Sequence, residues 1–264
     1  MKKVRLDELV VEQGLAENVD KARRLIMAGE IRSGDRVWDK AGEKISPETC
    51  LELKGHPCRW VSRGGLKLER ALETFGINPS GLRCLDIGAS TGGFTHVLLE
   101  SNAAAVVALD VGYGLLDSRI AGDPRLTVRD RTNFRLVENA DLGDPFDLIV
   151  TDVSFISLRL ILPKASQILK PDGEIIALIK PQFEAPRGLV PQGGVITDPK
   201  THLLVVVELA DYISENSPLK LLELEPVPLV SRKKNIEFVS LWKTAGKSLS
   251  KTEIEQKIET AHRR

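Results

Sequence analysis

Leu82-Arg83-Cys84-Leu85-Asp86-Ile87-Gly88-Ala89-Ser90-Thr91-Gly92-Gly93-Phe94 decides the fold: an apolar run of strand length ends in a glycine-rich turn, and a helical pattern follows over Gly93–Glu100. Glycines let the backbone pass close to a ligand, and a helix that starts there presents free N–H groups to it. The loop alone is a weak signal, because any tight strand-to-helix turn favours glycine. It does not match GxGxxG, and no Lys-Ser/Thr follows as a phosphate loop needs.

The same grammar repeats downstream. Strand-like runs occur at Leu82–Ile87, Val106–Val111, Leu126–Asp130, Asp147–Val153, Glu174–Lys180, Leu219–Val227 and Ile236–Trp242. Helical patterns at Gly93–Glu100, Ile156–Leu169 and Asp198–Ser214 separate some of them. Alternating strands and helices predict an α/β fold with a seven-stranded, mostly parallel, doubly wound sheet. Carboxylates gather at the strand ends. Asp110, in Leu109-Asp110-Val111-Gly112, is placed to accept hydrogen bonds from a ribose diol, and Asp130 with Asn133 suits an adenine pocket. With Asp86, three successive strand ends then face one nucleoside-sized crevice. The competing reading makes these carboxylates plain helix caps. The candidate cofactor-binding residues are Asp86, Gly88, Ala89, Ser90, Thr91, Gly92, Gly93, Phe94, Asp110, Val111, Asp130 and Asn133. The lack of a pyrophosphate pattern favours S-adenosylmethionine over NAD.

Upstream of Pro79-Ser80-Gly81 lies a different unit. Leu6, Leu9, Val10, Leu15, Ala22, Leu25, Ile26 and Ala28 fall at helical spacings, broken at Gly14 and closed by Gly29. Short alternating strands follow, Ile31–Val37 and Trp38–Ile45, with turn signals at Gly34-Asp35 and Ala41-Gly42. Such a small α+β unit is a natural binding module. Lys21, Arg23, Arg24 and Arg32 cluster along one edge and suit phosphate contacts on folded RNA, with Arg5 and Arg63 as further candidates.

Composition bounds the reading. The 264 residues are 42% hydrophobic and 28% charged, which fits one or two globular domains and excludes a largely disordered chain. No apolar run approaches the roughly 18 residues of a membrane span, and the charged N-terminus lacks an apolar signal-peptide core. Three cysteines without a CxxC argue against a disulfide framework or a structural zinc site, so a cytoplasmic, reducing compartment is expected. The zero net charge hides a gradient: +1 over residues 1–60, −6 over 61–230 and +5 over 231–264. The basic end suits a polyanion or an ordinary solvated helix equally.

Four polar residues stand out in apolar or sharply patterned surroundings: Lys67, off the Leu68/Ala71/Leu72/Phe75 helical stripe; Asp152 and Lys180, each ending a strand; and Glu237 within Ile236-Glu237-Phe238. Singly, each has a bland explanation; a strand-end lysine is usually just solvated. Jointly, two lysines and two carboxylates at the ligand edge of one sheet are harder to dismiss.

In that order the four match the Lys-Asp-Lys-Glu set of the FtsJ-like ribose 2′-O-methyltransferases. The chain as a whole resembles the TlyA family, which joins a domain named after ribosomal protein S four to such a methyltransferase. The resemblance rests on Arg59-Trp60-Val61-Ser62-Arg63-Gly64, Gly88 through Thr95, Asp110-Val111-Gly112-Tyr113-Gly114, Arg131-Thr132-Asn133, Asp152 through Leu158, Lys180-Pro181-Gln182-Phe183-Glu184 and Gly193-Gly194-Val195. In the first domain, Arg5-Leu6-Asp7, Gly14-Leu15, Ala22, Leu25-Ile26, Gly29 and the hairpin match, whereas Asn18-Val19-Asp20 replaces a common Ser-Arg pair. The resemblance implies a Rossmann-like class I methyltransferase fold whose last strand, Ile236–Trp242, runs antiparallel. It implies an S-four-type domain over 1–58, a linker over 59–64 and the methyltransferase domain over 65–264. It further implies S-adenosylmethionine as cofactor, cytidine ribose in ribosomal RNA of the subunits as substrate, and no metal; a monomer is the expected assembly.

In this reading Lys180 takes or positions the proton of the attacking hydroxyl, Lys67 supplies neighbouring positive charge, and Asp152 and Glu237 orient the lysines. Trp60 is either packing at the domain junction or a switch between RNA binding and catalysis. Three rivals remain: a non-catalytic ribosome-assembly factor on the same scaffold, a membrane-acting haemolysin, and a base-directed methyltransferase. The last would normally carry a catalytic cysteine or an Asn/Asp-Pro-Pro-Tyr motif where Asp152-Val153-Ser154-Phe155 stands.

Overall fold

The computed structural model describes residues 3–54, 59–227 and 235–263. The first domain runs β1 (Val4–Arg5), α1 (Leu6–Glu12), α2 (Val19–Met27), β2 (Ile31–Ser33), β3 (Arg36–Trp38), β4 (Lys44–Ile45) and β5 (Glu52–Leu53). The departure from Ser-Arg before α2 has a local role: the Asn18 side chain accepts from the Lys21 amide at 2.9 Å and caps the helix. Ala22 and Ile26 bury against Leu6, Leu9 and Val10 of α1. The hairpin is shorter than its pattern suggests. Strand β3 ends at Trp38, and Lys44–Ile45 instead pairs antiparallel with Val4–Arg5, while β5 joins the far side of β2.

The second domain adds α3 (Gly64–Phe75), β6 (Arg83–Ile87), α4 (Gly93–Glu100), β7 (Ala105–Leu109), α5 (Ser118–Ala121), β8 (Leu126–Arg129), β9 (Phe146–Thr151), α6 (Leu162–Ala165), β10 (Leu169–Ile179), α7 (Pro181–Glu184), α8 (Pro199–Asn216), β11 (Lys220–Pro226), β12 (Phe238–Lys243) and α9 (Lys251–Arg263). The sheet order is β11-β12-β10-β9-β6-β7-β8, and β12 is antiparallel to both neighbours. The seven predicted strands are all present. The pleat sends alternate residues to two cores, with Ile175, Ala177 and Ile179 on one face and Ile176 and Leu178 on the other.

One expected helix is broken. Ile156–Leu169 becomes a 3-10 turn at Leu158–Leu160, the short α6 and another 3-10 turn at Ser166–Ile168. Pro163 sits in the first turn of α6 with no N–H to give, so a helix cannot run through it. Helix α9 has the capping box its sequence encodes: Glu253 accepts from the Ser250 amide and hydroxyl at 2.7 and 2.6 Å. Ile254, Ile258 and Ala261 bury and Lys257 pairs with Glu225 of β11, so the helix docks on its own domain, while Arg263 pairs with Glu259 within the helix.

The segment before α3 is packed rather than extended. Trp60 is buried, its indole N–H donates to Glu69 at 3.0 Å, and its ring meets His96 edge-on at 5.2 Å. Any side chain at Gly65 would collide with it, since a Cβ there would lie 2.5 Å from Trp60 Cγ. Arg63 reaches back to Glu12 of α1 at 3.0 Å and ties the two domains together. Cys50 is disulfide-bonded, Cys84 is free and buried, and Cys58 lies outside the described residues.

Candidate active site

A crevice of about 720 Å³ opens where β6, β7, β9 and β10 end. Its floor is the glycine loop. Gly88 has φ +82° and faces Val153, whose Cγ1 would lie 3.0 Å from any Cβ, so only glycine fits without displacing that wall. Gly93 allows the starts of α3 and α4 to touch; a Cβ there would fall 2.1 Å from Ser62 Oγ. Asp110 braces the loop from the next strand, one carboxylate oxygen accepting from the Ser90 amide at 2.8 Å and the other from Gly112 at 2.7 Å.

The expected nucleoside residues divide. Asp86, Gly88, Ala89, Ser90, Thr91, Gly93, Phe94, Asp110, Val111 and Asn133 line the crevice. Gly92 and Asp130 do not: Gly92 turns the chain against Ile120, and the Asp130 carboxylate is taken by the Gly114 amide at 2.9 Å. Asp86 is buried, and a single oxygen accepts from both the amide (2.9 Å) and the hydroxyl (2.7 Å) of Thr95. Burial pushes its pKa up to about 7, against the pull of those two hydrogen bonds.

Lys67, Asp152, Lys180 and Glu237 line the crevice and meet there. Lys67 Nζ lies 2.7 Å from Glu237 and 3.3 Å from Asp152. Lys180 Nζ lies 2.6 Å from the Asp152 carboxylate, 3.3 Å from its backbone oxygen and 2.8 Å from Ser154 Oγ. Topology brings them together. Strands β9 and β10 are parallel neighbours, so Asp152 and Lys180 leave the same sheet edge. Strand β12 runs the other way, so the residue before it, Glu237, arrives at that edge too, next to the Phe238–Ile179 pairing. Helix α3 drops Lys67 in from above the sheet. Burial alone would lower the Lys67 pKa, but Asp152 and Glu237 outweigh it and hold the ammonium charged. Burial would likewise raise Asp152, and the two lysines bring it below the ordinary carboxylate range.

The candidate RNA-binding cations are more scattered. Arg5 and Arg23 both grip the buried Asp7, at 2.8 and 2.9 Å, Lys21 pairs with Glu17 and Arg63 with Glu12. Arg24 and Arg32 make no ion pair among the described residues. Ser154, Phe155, Gln182 and Phe183 line the crevice without having been singled out individually, although all four lie in the two strings that flank Asp152 and Lys180. Among the described residues, no helix is long and apolar enough to cross a membrane, and no group of three or more His, Cys, Asp or Glu is gathered to hold a metal ion.

A sheet of this order, with its reversed strand next to the edge and a glycine loop after the first central strand, defines the class I methyltransferase fold. Comparison with known proteins narrows the class. Residues 60–240 match the model of the FtsJ-like methyltransferases and residues 4–49 that of the S4 domain, and the chain belongs to the FtsJ-like methyltransferase family. It is 44% identical to "Putative rRNA methyltransferase YqxC" of Bacillus subtilis, over 99% of this chain and 95% of that protein. It is also 44% identical to "16S/23S rRNA (cytidine-2'-O)-methyltransferase TlyA" of Mycobacterium tuberculosis, over 79% and 78%. A solved structure, "Putative hemolysin from Streptococcus thermophilus", superposes with a TM-score of 0.80 at 38% identity, covering 100% of this chain and 97% of that one.

Proposed function

We propose that the protein methylates the 2′-hydroxyl of a cytidine in ribosomal RNA, using S-adenosylmethionine, with Lys67, Asp152, Lys180 and Glu237 as its reacting centre. The observation that carries the reading is the contiguous Lys-Asp-Lys-Glu cluster lining a nucleoside-sized crevice. The chemistry named for the M. tuberculosis relative agrees with it. The crevice residues fit the cofactor: Gly88 leaves room for close backbone approach, and the Asp110 oxygens keep lone pairs for a ribose diol beyond the two amides they accept.

When bound, the cofactor supplies a methyl group on a sulfonium that departs as a neutral thioether. The residues have the rest to do. Lys180 Nζ would hold the 2′-hydroxyl of the substrate ribose in place or, as the free amine, take its proton. Lys67 stays charged and adds positive potential where the oxygen gains negative charge. Asp152 spans both lysines and fixes their separation, and Glu237 holds Lys67 from the far side. The first domain, residues 1–58, carries the RNA through its exposed cations, the connector 59–64 joins it to the catalytic domain at 65–264, and the enzyme works on ribosomal subunits in the cytoplasm.

The test incubates purified protein and tritiated S-adenosylmethionine with unmodified small and large subunits. Label on a cytidine 2′-oxygen that falls at least 100-fold in Lys180→Ala, with cofactor binding retained, is the expected result. No label on either subunit from a protein that binds the cofactor overturns the reading.

A further inference from the structure

The segment after Asp152 is pinned at both ends. At one end the Ser154 hydroxyl sits 2.8 Å from Lys180 Nζ. At the other, Glu184, buried at 4% exposure, accepts from the Ser157 hydroxyl at 2.6 Å and the Leu158 amide at 2.7 Å. Between the pins, Phe155 takes φ +63°, a left-handed backbone that strains an aromatic residue, with its side chain 87% exposed. Strain of this kind persists only where flanking contacts over-determine it.

Glu184 closes the string that Lys180 opens, Lys180-Pro181-Gln182-Phe183-Glu184, so one short turn carries both the lysine and the latch. A buried carboxylate with one hydroxyl and one amide directed at it is costly to keep unless its partners stay put. It does not line the crevice, so it has no direct part in proton transfer. What it does hold is the loop that returns to Lys180 through Ser154.

We infer that Ser154 and Glu184 are positioning residues of the reacting centre: Ser154 fixes the direction of Lys180 Nζ, and the Glu184–Ser157 latch fixes the loop that carries Ser154. The inference deepens the methyltransferase reading and rests on it. An ammonium has three donors. Two of them go to the Asp152 backbone oxygen and Ser154 Oγ, the Asp152 carboxylate pairs with the charge, and Ser154 is the one uncharged side chain among these partners. Ser154 is therefore the one partner an entering hydroxyl can share or exchange without uncovering a buried charge.

The test compares Ser154→Ala, Ser154→Thr and Ser157→Ala with the parent in the full chain. Ser157→Ala opens the latch but leaves the Leu158 amide on the Glu184 carboxylate, so it disturbs folding less than Glu184→Ala. Three quantities are read: cofactor affinity by calorimetry, kcat and KM for subunits across pH, and the rate at which acetic anhydride labels Lys180. The expected result is cofactor affinity within about twofold of the parent in all three. In Ser154→Ala, kcat falls at least tenfold with KM nearly unchanged, the kcat–pH profile moves, and Lys180 is labelled at least threefold faster; Ser154→Thr recovers most of kcat. Ser157→Ala shows the same signs at about a third of the size. Unchanged kcat and labelling in Ser154→Ala overturn the inference, and so does a uniform loss of cofactor affinity and activity with an unmoved pH profile. The labelling arm needs no turnover, so a parent that transfers no methyl group overturns the enzymatic reading while the arrangement around Lys180 is still decided.

Discussion

Both domains gather lysines and arginines against carboxylates, yet the two sets do different things. In the first domain the cations lie on the surface: Arg5 and Arg23 stay more than two-fifths exposed while they grip Asp7, and Lys21 meets a freely solvated Glu17. In the second, Lys67, Asp152, Lys180 and Glu237 are all at least three-quarters shielded. Exposed pairs contribute little, typically below about 1 kcal/mol, and exchange partners readily. Shielded ones interact strongly, and each depends on the others, because a charge left alone there has no water to turn to. Surface cations can therefore be traded onto RNA phosphates, whereas the buried four hold one geometry for chemistry.

The sharpest way to break this contrast is to remove the centre of the buried set. Asp152→Ala leaves two lysines facing each other, and breaking a buried pair this way costs about 3–5 kcal/mol. Loss of methyl transfer by at least a thousandfold, with a Tm lower by several degrees in calorimetry, is expected. Asp152→Asn keeps the shape and some of the hydrogen bonding, so it should be as inactive but closer to the parent in Tm. A variant pair that loses activity in step with stability would mean that the cluster is structural cement.

A second buried pair asks whether shielding alone, away from the crevice, makes a titration costly. His202 on α8 is fully buried, and its Nδ1 lies 2.8 Å from Nε2 of His262 on α9. Burial, then the neighbouring His262, pushes the His202 pKa down to about 4, with Asp198 and the Ile196 backbone pulling weakly the other way. Unfolded, the ring titrates near 6.5, so the unfolded chain binds the proton first. This stability is therefore complete above about pH 6.5 and lost as pH falls toward 4, up to about 3 kcal/mol. His202→Leu should flatten the parent's Tm–pH curve in that window; parallel curves for parent and variant would refute the assignment.

Legibility from sequence follows the same division. The strands were visible because buried runs such as Leu148-Ile149-Val150 have no other stable use, and the tetrad was visible because charges at the ends of such runs are conspicuous. The roles of Asp130 and Gly92 were not, since strand-end position places a residue near a ligand edge but does not say which backbone amide will claim its carboxylate first. Ser154 and Glu184 were hidden for a related reason. A serine in a loop and a glutamate ending a four-residue helix carry no periodic signal, and their importance comes from 26-residue separations that only the fold closes. In the first domain, the pairing of Lys44–Ile45 with the chain's start was equally invisible, because two-residue strands have no pattern to show.

The smallest effect belongs to the surface, and it separates cations that are merely present from those at liberty. Arg24 and Arg32 make no ion pair among the described residues, whereas Arg23 is held on Asp7. A freed phosphate contact removes about one counterion from the salt dependence of binding. Arg24→Ala and Arg32→Ala should each weaken ribosomal-subunit binding about three- to tenfold, lower the slope of log K against log salt by about one, and shift Tm by less than a degree. Arg23→Ala should do the reverse, lowering Tm because it strips one partner from the buried Asp7 while the salt slope barely moves. Filter binding across a salt series, read beside calorimetry, decides between them. If Arg23→Ala instead gave the larger change in slope, the grip on Asp7 would be one that RNA breaks on binding, and the first domain's ion pairs would belong to recognition.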